Sequence, residues 1–257
     1  MPEHQVYTLV LILFFAIAAG LVGCFALMKR MLLASDVMSH LALPGLGVAF
    51  LLKFDPLVGG SVTLLLGTLL VWQLQKKTGL ATDAAIGVVF AGALALGALL
   101  TPREDLVDAL FGGLRELTPY GFLLGLLGVL LAILFIFLMK ERLTLVLFSP
   151  DLAATTGINA RLMDLSFLLM FSLTILIGLR FMGALLSSVL IIVPAATARQ
   201  LTNRMSHFLV VSSVASVFSA LAGLLVSTFV LRRSTVSPTI AIVSASVFGL
   251  SLLARRK

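Results

Sequence analysis

Residues 164–198 read DLSFLLMFSLTILIGLRFMGALLSSVLIIVPAATA, and between Asp164 and Ala198 the one charge is Arg180. A single helix over this run would reach ~50 Å at about 1.5 Å per residue, too long for a hydrocarbon core of about 30 Å. Two short helices joined near Gly178 to Gly183 fit better. That reading gives the chain nine membrane crossings. A re-entrant hairpin here, or a first span lying on the surface, would leave eight.

Working outward, the remaining apolar runs are divided by charge or turn chemistry. The spans fall at approximately residues 6–27, 34–52, 57–74, 83–101, 119–139, 162–179, 182–198, 207–230 and 237–254. Of 257 residues, 60% are hydrophobic and only 11% charged, and the mean hydropathy is +1.18. A soluble domain of this length could not cover its surface with so few charges. A transmembrane barrel would show short alternating strands. The expected fold class is an all-α integral membrane protein, a polytopic bundle of about 8–9 transmembrane helices forming one domain over residues 1–257. Membrane lipid surrounds such a bundle.

The net charge of +7 is not a nucleic-acid signature, because the cations form no basic domain and fall between apolar spans. They read as topology determinants. One set of connections holds Lys29, Arg30, Lys76, Lys77, Lys140, Arg142, Arg161, Arg199, Arg204, Arg255, Arg256 and Lys257. The opposite set holds Lys53, Arg103, Arg115, Arg180, Arg232 and Arg233. Twelve against six makes the first set cytoplasmic, with the N-terminus outside and the C-terminus inside. The single cysteine, Cys24, excludes an internal disulfide and a multi-cysteine metal site. Leu21-Val22-Gly23-Cys24 resembles a lipoprotein cleavage box, but no positive segment precedes it and the chain stays apolar through Met28. The first span is expected to be retained.

Two connections are more than turns. Thr101 to Pro119 mixes acids with apolar residues at helical spacing, as an interfacial helix or a docking surface would. In the internal connection, Ser149 can cap a helix and Pro150 suits its first position. Asp151 favours the positive end, Leu152 and Ala153 continue it, and Gly157 before Ile158 can close it. A cytoplasmic helix of two turns, about 149–158, needs a packing partner from this chain or another. Glycines recur in the spans, with Gly121 and Gly125 as one small-xxx-small pair and Gly87, Gly92 and Gly97 along the fourth span. Close helix packing accounts for them.

The second span carries Asp36 and His40 just past Lys29-Arg30. Four residues apart on a helix is one turn, so both share a face. Carboxylate and imidazole together suit zinc, manganese or iron. Ionisable groups at membrane depth usually face a polar path. The alternative is an Asp–His hydrogen bond that only locks helix packing. Two copies of the pair about a two-fold axis would supply four ligands, enough for tetrahedral coordination. Asp83 can touch metal or, with Thr82, simply start its helix. Ser39, Ser187, Ser188 and Thr197 are candidates for a polar path, although hydroxyls in membrane helices commonly bond backbone carbonyls. Pro44-Gly45 and Pro194 are candidate kinks or gates. His207 reads as a solvated loop residue, and His4 as uninformative.

Three stretches together resemble the membrane permease subunit of bacterial ABC importers for zinc, manganese or iron. They are Asp36-Val-Met-Ser-His40-Leu-Ala-Leu-Pro44-Gly45, Thr82-Asp83-Ala-Ala-Ile86-Gly87 followed by Leu110-Phe111-Gly112, and Met182-Gly183-Ala-Leu-Leu running to Ile192-Val-Pro194-Ala-Ala-Thr197-Ala198. The resemblance implies a multi-pass permease in a bacterial plasma (inner) membrane. It also implies pairing with a second copy or a paralogue, two cytoplasmic ATP-binding subunits below, and an external solute-binding protein above. The metal would be cargo rather than a resident cofactor, and ATP would act only through the partner subunits. The 149–158 helix would be the coupling helix that docks on the ATPase. Arg232-Arg233-Ser-Thr-Val-Ser-Pro238 departs from the apolar, glycine-containing turn the family leads one to expect.

The chain holds no GxxxxGK[ST] phosphate loop, no HExxH and no Gly-x-Ser-x-Gly elbow. It is expected to be a transport subunit and not an enzyme. The alternative is an ion-coupled secondary metal transporter or channel without an ATPase, in which the 149–158 helix would lack a purpose.

Overall fold

The computed structural model describes residues 3–31, 33–100, 119–231 and 236–254. The connection read as an interfacial helix or docking surface (101–118), the Leu110-Phe111-Gly112 motif and Arg232 to Thr235 lie outside the described residues. Those described fold into α1 (Glu3–Met28), α2 (Ala34–Ser39), a 3₁₀ turn (His40–Ala42), α3 (Leu43–Leu52), α4 (Pro56–Thr78), α5 (Thr82–Leu100) and α6 (Pro119–Phe148). There follow α7 (Pro150–Thr155), α8 (Ala160–Met182), α9 (Ala184–Leu201), α10 (Met205–Leu225), a π-helical turn (Val226–Leu231) and α11 (Val236–Ala254). No strand occurs among them. Among the described residues, nine segments are long and apolar enough to cross a membrane.

The run 164–198 divides as its length requires. Helix α8 ends at Met182 and α9 begins at Ala184, with Gly183 between them at φ +85°. That backbone conformation is open to glycine without a Cβ clash. Both halves are full spans.

Helix α1 is the axis of the bundle. It packs against α6, α8, α9 and α10, and Phe15, Val22 and Phe25 are fully buried. Two glycines permit the close approach. A Cβ at Gly23 would lie 2.0 Å from the Ile191 carbonyl of α9, and one at Gly20 would lie 2.8 Å from Ser213 Cα of α10. The seam with α10 is polar as well, because Ser212 donates to the Gly20 carbonyl at 2.8 Å and the Cys24 thiol donates to the Phe208 carbonyl at 3.5 Å. Cys24, the last residue of the cleavage-box resemblance, is therefore a buried packing residue.

The second span is interrupted midway by a 3₁₀ turn, with helical backbone on both sides. Proline lacks an N–H and its ring collides with the carbonyl four residues back, so Pro44 fits best in the first turn of α3. The chain tightens into the 3₁₀ turn at His40–Ala42 immediately before it. Helix α3 then lies against α4 through Gly45 and Gly59, where a Cβ on Gly45 would be 2.0 Å from the Gly59 carbonyl. Close packing also holds at Gly97, facing Leu43, and Gly125, facing Phe181. It fails at Gly87 and Gly92, where an added Cβ would meet none of the described residues within 4 Å. Five residues apart, they lie about 140° from each other around α5, and both are exposed.

Helix α8 is tied to its neighbours by polar contacts. The Trp72 indole donates to the Arg161 carbonyl at 3.2 Å, and the Thr68 and Ser172 hydroxyls meet at 2.5 Å. Lys29, at the end of α1, pairs with Asp164 and lies 5.3 Å over the Phe167 ring.

Candidate functional site

Helix α2 places its residues on two sides. Ala34, Ser35, Met38 and Ser39 are buried against α8 and α9. Asp36 is exposed and His40 half-buried, so the carboxylate and the imidazole occupy the side that the chain leaves least covered. The His40 ring sits against Phe90 of α5, with centroids 5.7 Å apart and planes tilted by 52°. Phe90 carries no sequence signal of its own. Only the approach of α5 to the broken span shows that it borders the pair.

Among the described residues no group of three or more His, Cys, Asp or Glu side chains comes together. Among the described residues, this turn therefore brings two candidate donors, Asp36 and His40. Asp83 lies in the first turn of α5 and is exposed, as a helix start requires. His207 is exposed at the beginning of α10.

The hydroxyls sort by their partners. Ser39 donates to the Ser35 carbonyl, Ser188 to Ala184 and Thr197 to Val193, each at 2.9 Å within its own helix. Ser187 is different. Its Oγ is buried without a hydrogen-bond partner, and it presses on α8 where a Cβ at Gly178 would lie 2.1 Å from it. Pro194 sits inside α9 and removes the N–H that would bond the Leu190 carbonyl. Ser216 of α10 donates to that carbonyl instead, at 3.4 Å.

The internal connection forms the short helix α7. Ser149 precedes it but, against the expectation from sequence, makes no side-chain cap; Pro150 opens the helix, with Asp151 in the first turn. Its end is a Schellman motif: Ile158 N–H bonds the Ala153 carbonyl at 2.9 Å and Gly157 N–H bonds Ala154 at 3.1 Å, with Gly157 at φ +77°. Asn159 then caps α8 by accepting from the Arg161 and Leu162 amides. Ala153 is buried under this turn, whereas Leu152 is 57% exposed and neighbouring Phe148 69% exposed. An apolar edge thus projects from the end of the bundle.

Nine helices long and apolar enough to cross a membrane among the described residues, with a short loop-helix between two of them, define a multi-pass membrane protein. The chain belongs to the ABC 3 transport family, whose profile matches residues 3–255. It is 30% identical to the high-affinity zinc uptake system membrane protein ZnuB of Haemophilus influenzae, covering 96% of this chain and 98% of that protein. It is also 30% identical to the manganese transport system membrane protein MntC of Halalkalibacterium halodurans, over 91% of this chain and 82% of the relative. Among solved structures it resembles PsaBC from Streptococcus pneumoniae, in complex with Fab, with a TM-score of 0.80 and 25% identity over 97% of this chain and 91% of that one.

Proposed function

We propose that this chain is the permease of an ATP-driven importer of divalent metal ions, with Asp36 and His40 as transient ligands on the path. The relatives named for zinc and manganese support those two cargoes; ferrous iron suits the same donors chemically. The observation that carries the reading is the division of α2: Met38 and Ser39 are buried between Asp36 and His40, which stand on the less covered side. Two ligands per copy are a weak site, and a cargo site must empty as well as fill.

A second copy or a paralogue would complete the set of donors. Helix α5 beside the pair supports this, since only 17% of its most apolar window is buried within the chain, against 67% for α1, and Gly87 and Gly92 leave room for close approach. Cytoplasmic ATP-binding subunits would seat on Leu152 of α7, and an external solute-binding protein would deliver metal to the opposite face. The N-terminus is outside and the C-terminus inside on this reading, which puts α7 on the ATPase side. Binding of the ATPase would shift the bundle between inward-open and outward-open states by its differential affinity for them. Pro44-Gly45 and Pro194 mark where the helices are interrupted and could bend. Ser187 is the hydroxyl best placed to join the path, because it has no backbone partner.

The test is metal uptake into vesicles holding this chain and its ATPase, with Asp36→Ala and His40→Ala as comparisons. ATP-dependent uptake of zinc or manganese that both substitutions abolish, with ATPase binding retained, is the expected result. Uptake that persists without ATP would point to an ion-coupled transporter instead, and normal uptake by either variant would remove the pair from the path.

A further inference from the structure

A cavity remote from the Asp36–His40 turn plays no part in that site. It is a groove of about 1200 Å³ between α1, α6 and α10. Its walls are Leu21 of α1, Ile133 and Phe137 of α6, and Val217 and Leu221 of α10. All three helices are membrane spans, so this wall opens where the solvent is hydrocarbon. From Met205 to Leu221 along α10 the groove runs roughly 24 Å, most of the way through a hydrocarbon core of about 30 Å.

One end is chemically distinct. Lys140, Glu141, Thr144 and Ser206 line the mouth, which lies at the cation-rich end of the bundle. Among the described residues neither Lys140 nor Glu141 is in an ion pair. The Lys140 ammonium stands 5.0 Å over the Phe137 ring at the groove's edge. Helix α10 begins here with no side-chain cap, so its first N–H groups add positive potential to the mouth.

We infer that the groove binds one phospholipid of the bilayer, its acyl chains along α10 and a zwitterionic ethanolamine head at the mouth. The phosphate fits Lys140 and the start of α10. The primary ammonium fits Glu141 and can donate N–H bonds to its carboxylate. A glycerol head pairs with Lys140 alone and leaves Glu141 facing a like charge. A choline head carries the right charges but no N–H to donate. The charges at the mouth therefore select among lipids that the apolar walls would accept equally.

The assembled transporter is placed in nanodiscs with equal phosphatidylethanolamine, phosphatidylglycerol and phosphatidylcholine, then released and analysed by native mass spectrometry. The expected result is one ethanolamine lipid retained per chain over the other two. Glu141→Gln should cut that preference about fivefold, the effect of one near-surface charge contact. Val217→Trp, which fills the groove, should lose the lipid altogether. Equal retention of the three lipids, or retention unchanged in both variants, would overturn the site. So would a second protein chain cross-linking into the groove from cysteines placed along α10. Glu141 is exposed, so its substitution reads the head group without disturbing the packing of the bundle.

Discussion

Ser216 of α10 donates to the Leu190 carbonyl of α9, the acceptor that Pro194 leaves without its helical N–H. An unpaired carbonyl is costly in a span because no water can take the place of the lost bond. The neighbouring hydroxyl offsets that cost and ties the two helices together at the interruption. Ser216→Ala should lower stability by about 1 kcal/mol in the wild-type background. It should cost much less beside Pro194→Ala, where the amide returns. A double-mutant cycle on the unfolding midpoint in detergent measures the difference, and equal losses in both backgrounds would separate the hydroxyl from the proline.

The ring contact between Phe90 and His40 makes a second expectation. An aromatic pair contributes about 0.5–1.5 kcal/mol beyond its area, so Phe90→Leu should raise the metal concentration for half-maximal uptake roughly twofold to tenfold. Phe90→Tyr keeps the ring and should stay near wild type. Uptake curves for the two variants decide whether Phe90 positions the imidazole.

Glycines on two faces should behave oppositely. Gly45→Ala drives a Cβ into the Gly59 carbonyl, and neither backbone can move without parting α3 from α4. Loss of the folded chain, or a fall of about 1–3 kcal/mol in its stability, is expected. Gly92→Leu starts from a Cβ position with no described residue within 4 Å and should leave the isolated chain folded while weakening pairing with a second copy. Thermal unfolding and the oligomeric mass of each purified variant separate the two cases.

At α7 the proposed docking edge and the helix end are separable. Leu152→Glu should release the ATPase in a pull-down without altering the melting of the permease, because the side chain is largely exposed. Gly157→Val places a β-branched residue at φ +77° and should cost at least about 1 kcal/mol of local order. It should weaken the same association through the shape of the helix. ATPase recovery that is unaffected by Leu152→Glu would move the docking surface elsewhere.

Much of this was legible in the chain. The length of the run 164–198 required two helices, and Gly183 marks their junction. The sequence Ser149-Pro150-Asp151 through Gly157 announced a short helix, and α7 is found at Pro150–Thr155. Start and stop chemistry is local, carried by residues within a turn of one another. The second span was read at 34–52 with a break at Pro44-Gly45, and its extent holds. The backbone stays helical through Pro44, and the local change is a 3₁₀ turn at His40–Ala42, just before the proline. The glycines of α5 show the same limit: Gly97 packs and Gly87 and Gly92 do not, although nothing in their own neighbourhood distinguishes them.

By itself, the sequence determined that the chain crosses the membrane many times as helices, where most of those helices begin and end, and which turn holds Asp36 and His40. These follow from hydrophobic length, charge placement and backbone capping, which act over one or two helical turns. Tertiary structure decided that α1 is the buried axis, that Phe90 borders His40, that Ser216 answers for Pro194, and that a groove opens between α1, α6 and α10. Each of these joins residues far apart in the chain. Apolar helices in a bilayer are nearly equivalent by composition, so only the fit of small residues and the satisfaction of stray polar groups select which faces meet.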